Sequence, residues 1–306
     1  MMRPRPLRAG DRVAIVAPAS NCPREEFDRG VAELVRLGYQ PTFSEAVFER
    51  GVFSAGSASR RASDFLRAWT DPDVVALIAV RGGYGTVEIL PHLPIDVLRR
   101  TPKLFVGYSD TTTLLSFLSI QCGIPALHGP MLEGRLARGP EAYDERSFVT
   151  LAAGGSDVEL RPAGVTVLQR GTAAGRLFGG TLTQLVASLG TPYAFAPPAG
   201  SLLFIEDVNE RPYRLHRMLT QLALAGVLSA AGGLIFGEMR GCDEPGGQVT
   251  ARDAIEAATE GVAGPILFGF PSGHTTGPCW TLPIGVRVRI VAELEPGIIV
   301  EEATGA

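Results

Sequence analysis

Three short runs, RVAIVAP at 12–18, DVVALIAV at 73–80 and KLFVG at 103–107, are apolar almost throughout. A strand with one wet face alternates apolar with polar residues, whereas a strand covered on both faces does not. These runs are too short for helices and fit strands of a covered, parallel sheet. The segments between them have helical spacing. PREEFDRGVAELVRLG places Phe27, Val31, Leu34 and Val35 on one face, with Pro23 near the first turn and Gly38 as a stop. SASRRASDFLRAWT is a second helix with Ser57 as its cap, and TTTLLSFLSIQCG is a third. Strand and helix in alternation predict an α/β unit with a mostly parallel sheet between helical layers.

The chain has 306 residues, enough for about two domains. The rhythm breaks in AAGGSDVELRPAGVTVLQRGTAAG, where glycine and alanine crowd short alternating pieces. The expected organisation is an N-terminal α/β domain over 1–153, a connection over 154–175 and a smaller C-terminal α/β domain over 176–306. That second domain mixes strands (SLLFIEDV, GGLIFGEM, VRVRIVAEL) with helices (PYRLHRMLTQLALAG, TARDAIEAATEG), which predicts mixed or antiparallel, barrel-like character.

Several functions are disfavoured at once. The formal charge is −4, and no basic face suggests a nucleic-acid partner. No apolar stretch approaches the ~18 residues of a membrane span, and VAIVAPA is shorter than the core of a signal peptide. A cytoplasmic location is therefore expected. Cys22, Cys122, Cys242 and Cys279 contain no CxxC pair. The single lysine, Lys103, cannot belong to a GxxxxGK loop. The histidines His92, His128, His216 and His274 form no HExxH or other close ligand pair, so metal-assisted hydrolysis is not expected.

VGYSD, at the end of the third apolar run, sets Ser109 at a tight passage from strand to helix. Such a turn pushes a side chain out from the carboxyl edge of a sheet, where open α/β folds bind ligands. The N–H of Asp110 opens the helix and is free to donate to an oxyanion. Thr111 stands where the full GxSxG pattern has its second glycine, so a plain helix cap remains an alternative for Ser109. A serine nucleophile needs a base, and the base needs an orienting acid. Glu206 ends the apolar run SLLFIE, and His274 lies in the polar loop of GFPSGHTTG. RGGYG, just after the second run, could add the N–H of Gly82 or Gly83 to that of Asp110. Arg81, Tyr84, His128, Arg240 and Trp280 are further candidate site residues.

In order, GDRVAIVAPAS, RGGYG, VGYSD, HGPM, GGTLTQLVASLGTPY, IEDVNERPYRLHRML and GFPSGHT resemble the LD-carboxypeptidase family, over about residues 7–301. The resemblance implies a serine peptidase with the triad Ser109, Glu206 and His274, and an oxyanion hole at Gly83 and Asp110. It implies an N-terminal domain bearing the serine and a C-terminal domain bearing acid and base. The implied substrate is a murein tetrapeptide that loses its terminal D-alanine during cell-wall recycling. A cytoplasmic homodimer without a cofactor is part of the same expectation. Two alternatives are an immunity-type peptidase acting on peptide-nucleotide antibiotics and a non-catalytic two-domain binding protein.

Overall fold

The computed structural model describes residues 1–305. Fourteen strands follow one another: β1 (Arg12–Val16), β2 (Gln40–Phe43), β3 (Val74–Ala79), β4 (Leu104–Gly107), β5 (Ala126–His128), β6 (Val158–Leu160), β7 (Thr166–Gln169), β8 (Gly171–Thr181), β9 (Leu202–Glu206), β10 (Gly233–Gly237), β11 (Ile266–Phe270), β12 (Leu282–Ile284), β13 (Arg287–Ala292) and β14 (Gly297–Val300). They form two sheets, within two compact units.

The first unit comprises residues 1–156, 278–285 and 303–306, the last of these described to 305. Its sheet has the order β12-β5-β4-β3-β1-β2, parallel except for β12 against β5. All six residues of β3 and all four of β4 are buried. The helix Ala58–Thr70 begins at Ser57, whose hydroxyl accepts from the N–H of Arg60 at 3.3 Å. Its fully buried Phe65 and Trp69 stack at 5.4 Å, and Phe65 meets Phe105 of β4 edge-on at 6.0 Å. Each such ring removed from water contributes about 1.5–3 kcal/mol. The strand order reverses between β1 and β3, so the loops after these two strands flank the point where open α/β sheets bind ligands.

The helix Arg24–Arg36 corrects one detail of the sequence pattern. Phe27 and Leu34 are buried, but Val35 is 57% exposed and Glu33 is buried in its place. The acid is tolerated because Arg36 donates to both its oxygens at 2.8 Å and Tyr143 donates at 2.6 Å. The third helical segment is also less regular than its spacing suggests. It runs as a 3-10 turn at Ser109–Thr111, an α-helix at Thr112–Ser116 and a π-helical stretch at Phe117–Cys122.

The second unit comprises residues 157–277 and 286–302. Its sheet has the order β6-β14-β13-β8-β9-β10-β11-β7. Strands β8 to β11 are parallel, and the flanking pairs are antiparallel, as the mixed pattern predicts. Two features differ from the expected boundaries. Residues 154–175 are not a bare connection, because β6, β7 and the start of β8 pair into this sheet. Residues 176–306 are not one block, because 278–285 and 303–306 belong to the first unit, where β12 extends the sheet beside β5.

Candidate active site

In the first unit, β4 ends at Gly107 and the chain turns at Ser109. Ser109 has φ +63°, the left-handed region that non-glycine residues rarely occupy. Holding it there costs on the order of 1–3 kcal/mol, which surrounding structure must offset. Two glycines make the turn possible. A Cβ on Gly107 would lie 2.4 Å from Thr111 Oγ1, and one on Gly82 would lie 2.8 Å from Ser109 Cβ and 2.9 Å from its Oγ. The same point on Gly82 is 3.3 Å from the N of Asp110, so the RGGYG loop lies directly against the serine turn.

That loop is anchored by side chains. Asp110, 3% exposed, accepts from the N–H of Thr86 at 2.8 Å. Burial pushes its carboxyl above the usual carboxylate range, and the hydrogen bonds from Thr86 and Gly85 oppose the rise. Arg61, also buried, donates to the carbonyl of Gly85 at 2.7 Å and to that of Pro18. Arg81 pairs with Glu133 at 2.9 Å and donates to the carbonyl of Asn21 at 3.3 Å. Gly83 has φ +96°, and a Cβ there would lie 2.3 Å from Ser20 Oγ, so only glycine fits.

In the second unit, the carboxyl ends of parallel strands collect a different set. Glu206 closes β9 and is 1% exposed. Its Oε2 accepts from His274 Nδ1 at 2.8 Å and from the His274 backbone N–H at 3.1 Å. Its Oε1 accepts from Thr181, its register partner at the end of β8. Gly237 ends β10, which lies between β9 and β11; a Cβ there would be 2.6 Å from Glu206 Cβ. The missing side chain leaves room for the carboxylate. A carboxylate only accepts, so Nδ1 of His274 carries the proton of this contact. With 18% of its side chain exposed, His274 is an imidazole oriented through Nδ1 by a buried carboxylate. Asp207, next to Glu206, serves another purpose: it accepts from Thr183 N at 2.9 Å and Oγ1 at 2.7 Å.

The remaining candidates fall into different settings. Tyr84 is half exposed and meets Phe53 edge-on at 5.9 Å. His128 is fully buried at the end of β5, its ring 5.9 Å from that of Tyr108, so it packs under the serine turn. Arg240 is exposed, and its backbone carbonyl accepts from the N–H of Asn209 at 2.9 Å. Trp280 is partly exposed in the returning segment that leads into β12. Among the described residues, no group of three or more His, Cys, Asp or Glu side chains could hold a metal ion. Thr181 and Ser20 went unnoticed in the sequence; the threonine's position after a strand's GG pair was the one available signal.

Residues 13–129 match the model of the LD-carboxypeptidase N-terminal domain, and residues 174–290 match that of its C-terminal domain. The chain belongs to the LD-carboxypeptidase family. It is 31% identical to the murein tetrapeptide carboxypeptidase of Pseudomonas aeruginosa, across 86% of this chain and 88% of that one. A Bacillus subtilis protein, described as a "probable murein peptide carboxypeptidase", is also 31% identical, across 97% and 95%. The microcin C7 self-immunity protein MccF of Escherichia coli is 28% identical across 93% and 92%. The solved muramoyltetrapeptide carboxypeptidase of Oxalobacter formigenes superposes with a TM-score of 0.84 at 28% identity, across 95% and 99%. The family is one of serine-type carboxypeptidases, and this chain has its two-domain α/β fold.

Proposed function

We propose that this protein is a serine LD-carboxypeptidase that releases the terminal D-alanine from peptidoglycan-derived tetrapeptides, with Ser109, Glu206 and His274 as its triad. The observation that carries the reading is His274 held through Nδ1 by buried Glu206, in a chain whose family is one of serine-type carboxypeptidases. His274 Nε2 takes the proton of Ser109 as the hydroxyl attacks the scissile carbonyl. Glu206 holds the tautomer and stabilises the imidazolium. The N–H groups of Gly83 and Asp110 receive the oxyanion, each worth about 3 kcal/mol in the barrier. His274 then protonates the departing D-alanine, and water releases the acyl group. Arg81, beside the glycine loop, is the favoured partner for the substrate carboxylate in the first unit.

The proposal places the enzyme in the cytoplasm, as a homodimer acting in cell-wall recycling. Four buried cysteines with no disulfide between them fit a reducing compartment, and burial raises the thiols of Cys22, Cys122 and Cys242 to about 12. Ser109→Ala and His274→Ala should each lower D-alanine release by about 10³-fold or more with the fold intact, read by mass spectrometry of a tetrapeptide digest. Full activity in Ser109→Ala would remove the proposal. Likeness to MccF supports a second reading, a peptidase acting on peptide-nucleotide conjugates. Presenting both substrates to the wild-type protein decides between them by kcat/KM.

A further inference from the structure

Four residues past β1, at the reversal of strand order, Ser20 makes three hydrogen bonds, two of them to the peptides that flank Gly83. Its backbone N–H donates to the carbonyl of Gly82 at 3.2 Å. Its hydroxyl accepts from the N–H of Tyr84 at 3.1 Å and donates to the carbonyl of Phe53 at 2.6 Å. Gly82 C=O and Gly83 N–H belong to one planar trans peptide, so holding the carbonyl aims the N–H the opposite way. Gly83 C=O and Tyr84 N–H belong to the next peptide. Ser20 therefore fixes both peptide planes that flank Gly83, and with them the rotation at its φ of +96°. The hydroxyl uses its one proton on Phe53, which leaves a lone pair directed at Tyr84. Among the described residues the neighbouring arginines bind elsewhere: Arg61 holds Gly85, and Arg81 holds Asn21 and Glu133.

We infer that Ser20 is a positioning residue for the reaction, setting the direction of the Gly83 N–H that receives the oxyanion. The inference rests on the reading of Ser109 as nucleophile and Gly83 as oxyanion donor. A donor misaimed by tens of degrees loses most of its bond to the developing charge while ground-state binding is largely unaffected. Removing the Ser20 hydroxyl frees the Tyr84 peptide and the tie to Phe53, so the Gly82–Gly83 peptide is left on one 3.2 Å backbone bond, about which its N–H can swing.

The experiment compares wild-type protein with Ser20→Ala, Ser20→Cys, Ser57→Ala and Ser109→Ala. Cysteine fills the space of serine but is a poor acceptor, so it guards against a simple packing effect. Ser57→Ala removes a hydroxyl that caps a helix in the same unit, as a control for lost stability. Steady-state hydrolysis of the tetrapeptide is measured together with the rate of labelling by a fluorophosphonate, whose phosphoryl oxygen takes the oxyanion's place. Both Ser20 variants are expected to lose 10- to 100-fold in kcat and in labelling rate, with KM within threefold and Ser57→Ala unchanged. If Ser20→Ala and Ser20→Cys keep kcat and labelling within twofold while Ser109→Ala is dead, the inference falls and the nucleophile stands. A loss confined to KM, or one that Ser57→Ala shares, also overturns it. An active Ser109→Ala overturns the nucleophile first and this inference with it.

Discussion

Replacing Glu206 by glutamine separates the charge of the carboxylate from its geometry. The donors that face Glu206 include the hydroxyl of Thr181 at Oε1, and the N–H and Nδ1–H of His274 at Oε2, at 3.1 and 2.8 Å, with Nδ1 also 3.2 Å from Oε1. A glutamine with its oxygen at the Oε2 position still accepts from both His274 donors. Its NH₂ then meets Thr181, whose hydroxyl can rotate to accept. The ring tautomer survives, and only the negative charge is lost. That charge acts when His274 becomes a cation in the transition state. Two unit charges about 4 Å apart in an effective dielectric near 20 attract by about 4 kcal/mol. At about 1.36 kcal/mol per decade, kcat should fall about 10³-fold. In the proposed mechanism the imidazolium forms as Ser109 loses its proton, so KM should move less than threefold. Initial rates of D-alanine release, coupled to a D-amino-acid oxidase, measure both constants, and far-UV circular dichroism checks the fold. A variant with wild-type kcat, or one impaired in KM alone, would refute the role given to Glu206.

Two further outcomes follow from the first unit. Gly82→Ala sets a methyl within 2.9 Å of Ser109 Cβ and Oγ, so the serine turn must shift; kcat should drop at least 100-fold, while overpacking lowers stability by about 1–3 kcal/mol in thermal melts. An unchanged kcat would show that Gly82 does not govern the serine's position. The hydrogen bond from Arg36, aided by Tyr143, holds the Glu33 carboxyl below its ordinary value of 4.5, against the opposing effect of burial. A lowered folded value means stability that is present above the unfolded pKa and lost as pH falls through the folded one. Tm should therefore decline in acid below about pH 4.5, and Glu33→Gln should have a lower Tm at pH 7 and a shallower acid decline. Parallel declines for the two proteins would exclude Glu33 as a source.

The parallel sheet was legible because β1, β3 and β4 are buried on both faces, and a run such as VVALIA has few alternatives. Ser109 was legible as a turn because glycine two residues earlier, and a helix-forming run after it, leave little space for anything else; its positive φ agrees. Glu206 and His274 could be named separately, but the hydrogen bond between them depends on two parallel strand ends flanking β10, which no local pattern encodes. Val35 misled because helical spacing marks a face without marking its edge, and a buried glutamate with partners at positions 36 and 143 took the inner place. β12 escaped notice for a plainer reason. It is a three-residue edge strand containing Pro283, short enough to read as a loop, and proline is tolerated only at such an edge. Thr181 gave no chemical signal of its own, since its role is to satisfy an oxygen of another residue.

The late return of residues 278–285 has a consequence for synthesis. A ribosome that has completed residues 1–156 has made every parallel strand of the first sheet, yet the strand that flanks β5 emerges more than a hundred residues later. Until then the open side of β5 presents unpaired amides and carbonyls, as any sheet margin does. A fragment ending near residue 156 would keep that sticky border permanently, so it should aggregate where the whole chain does not.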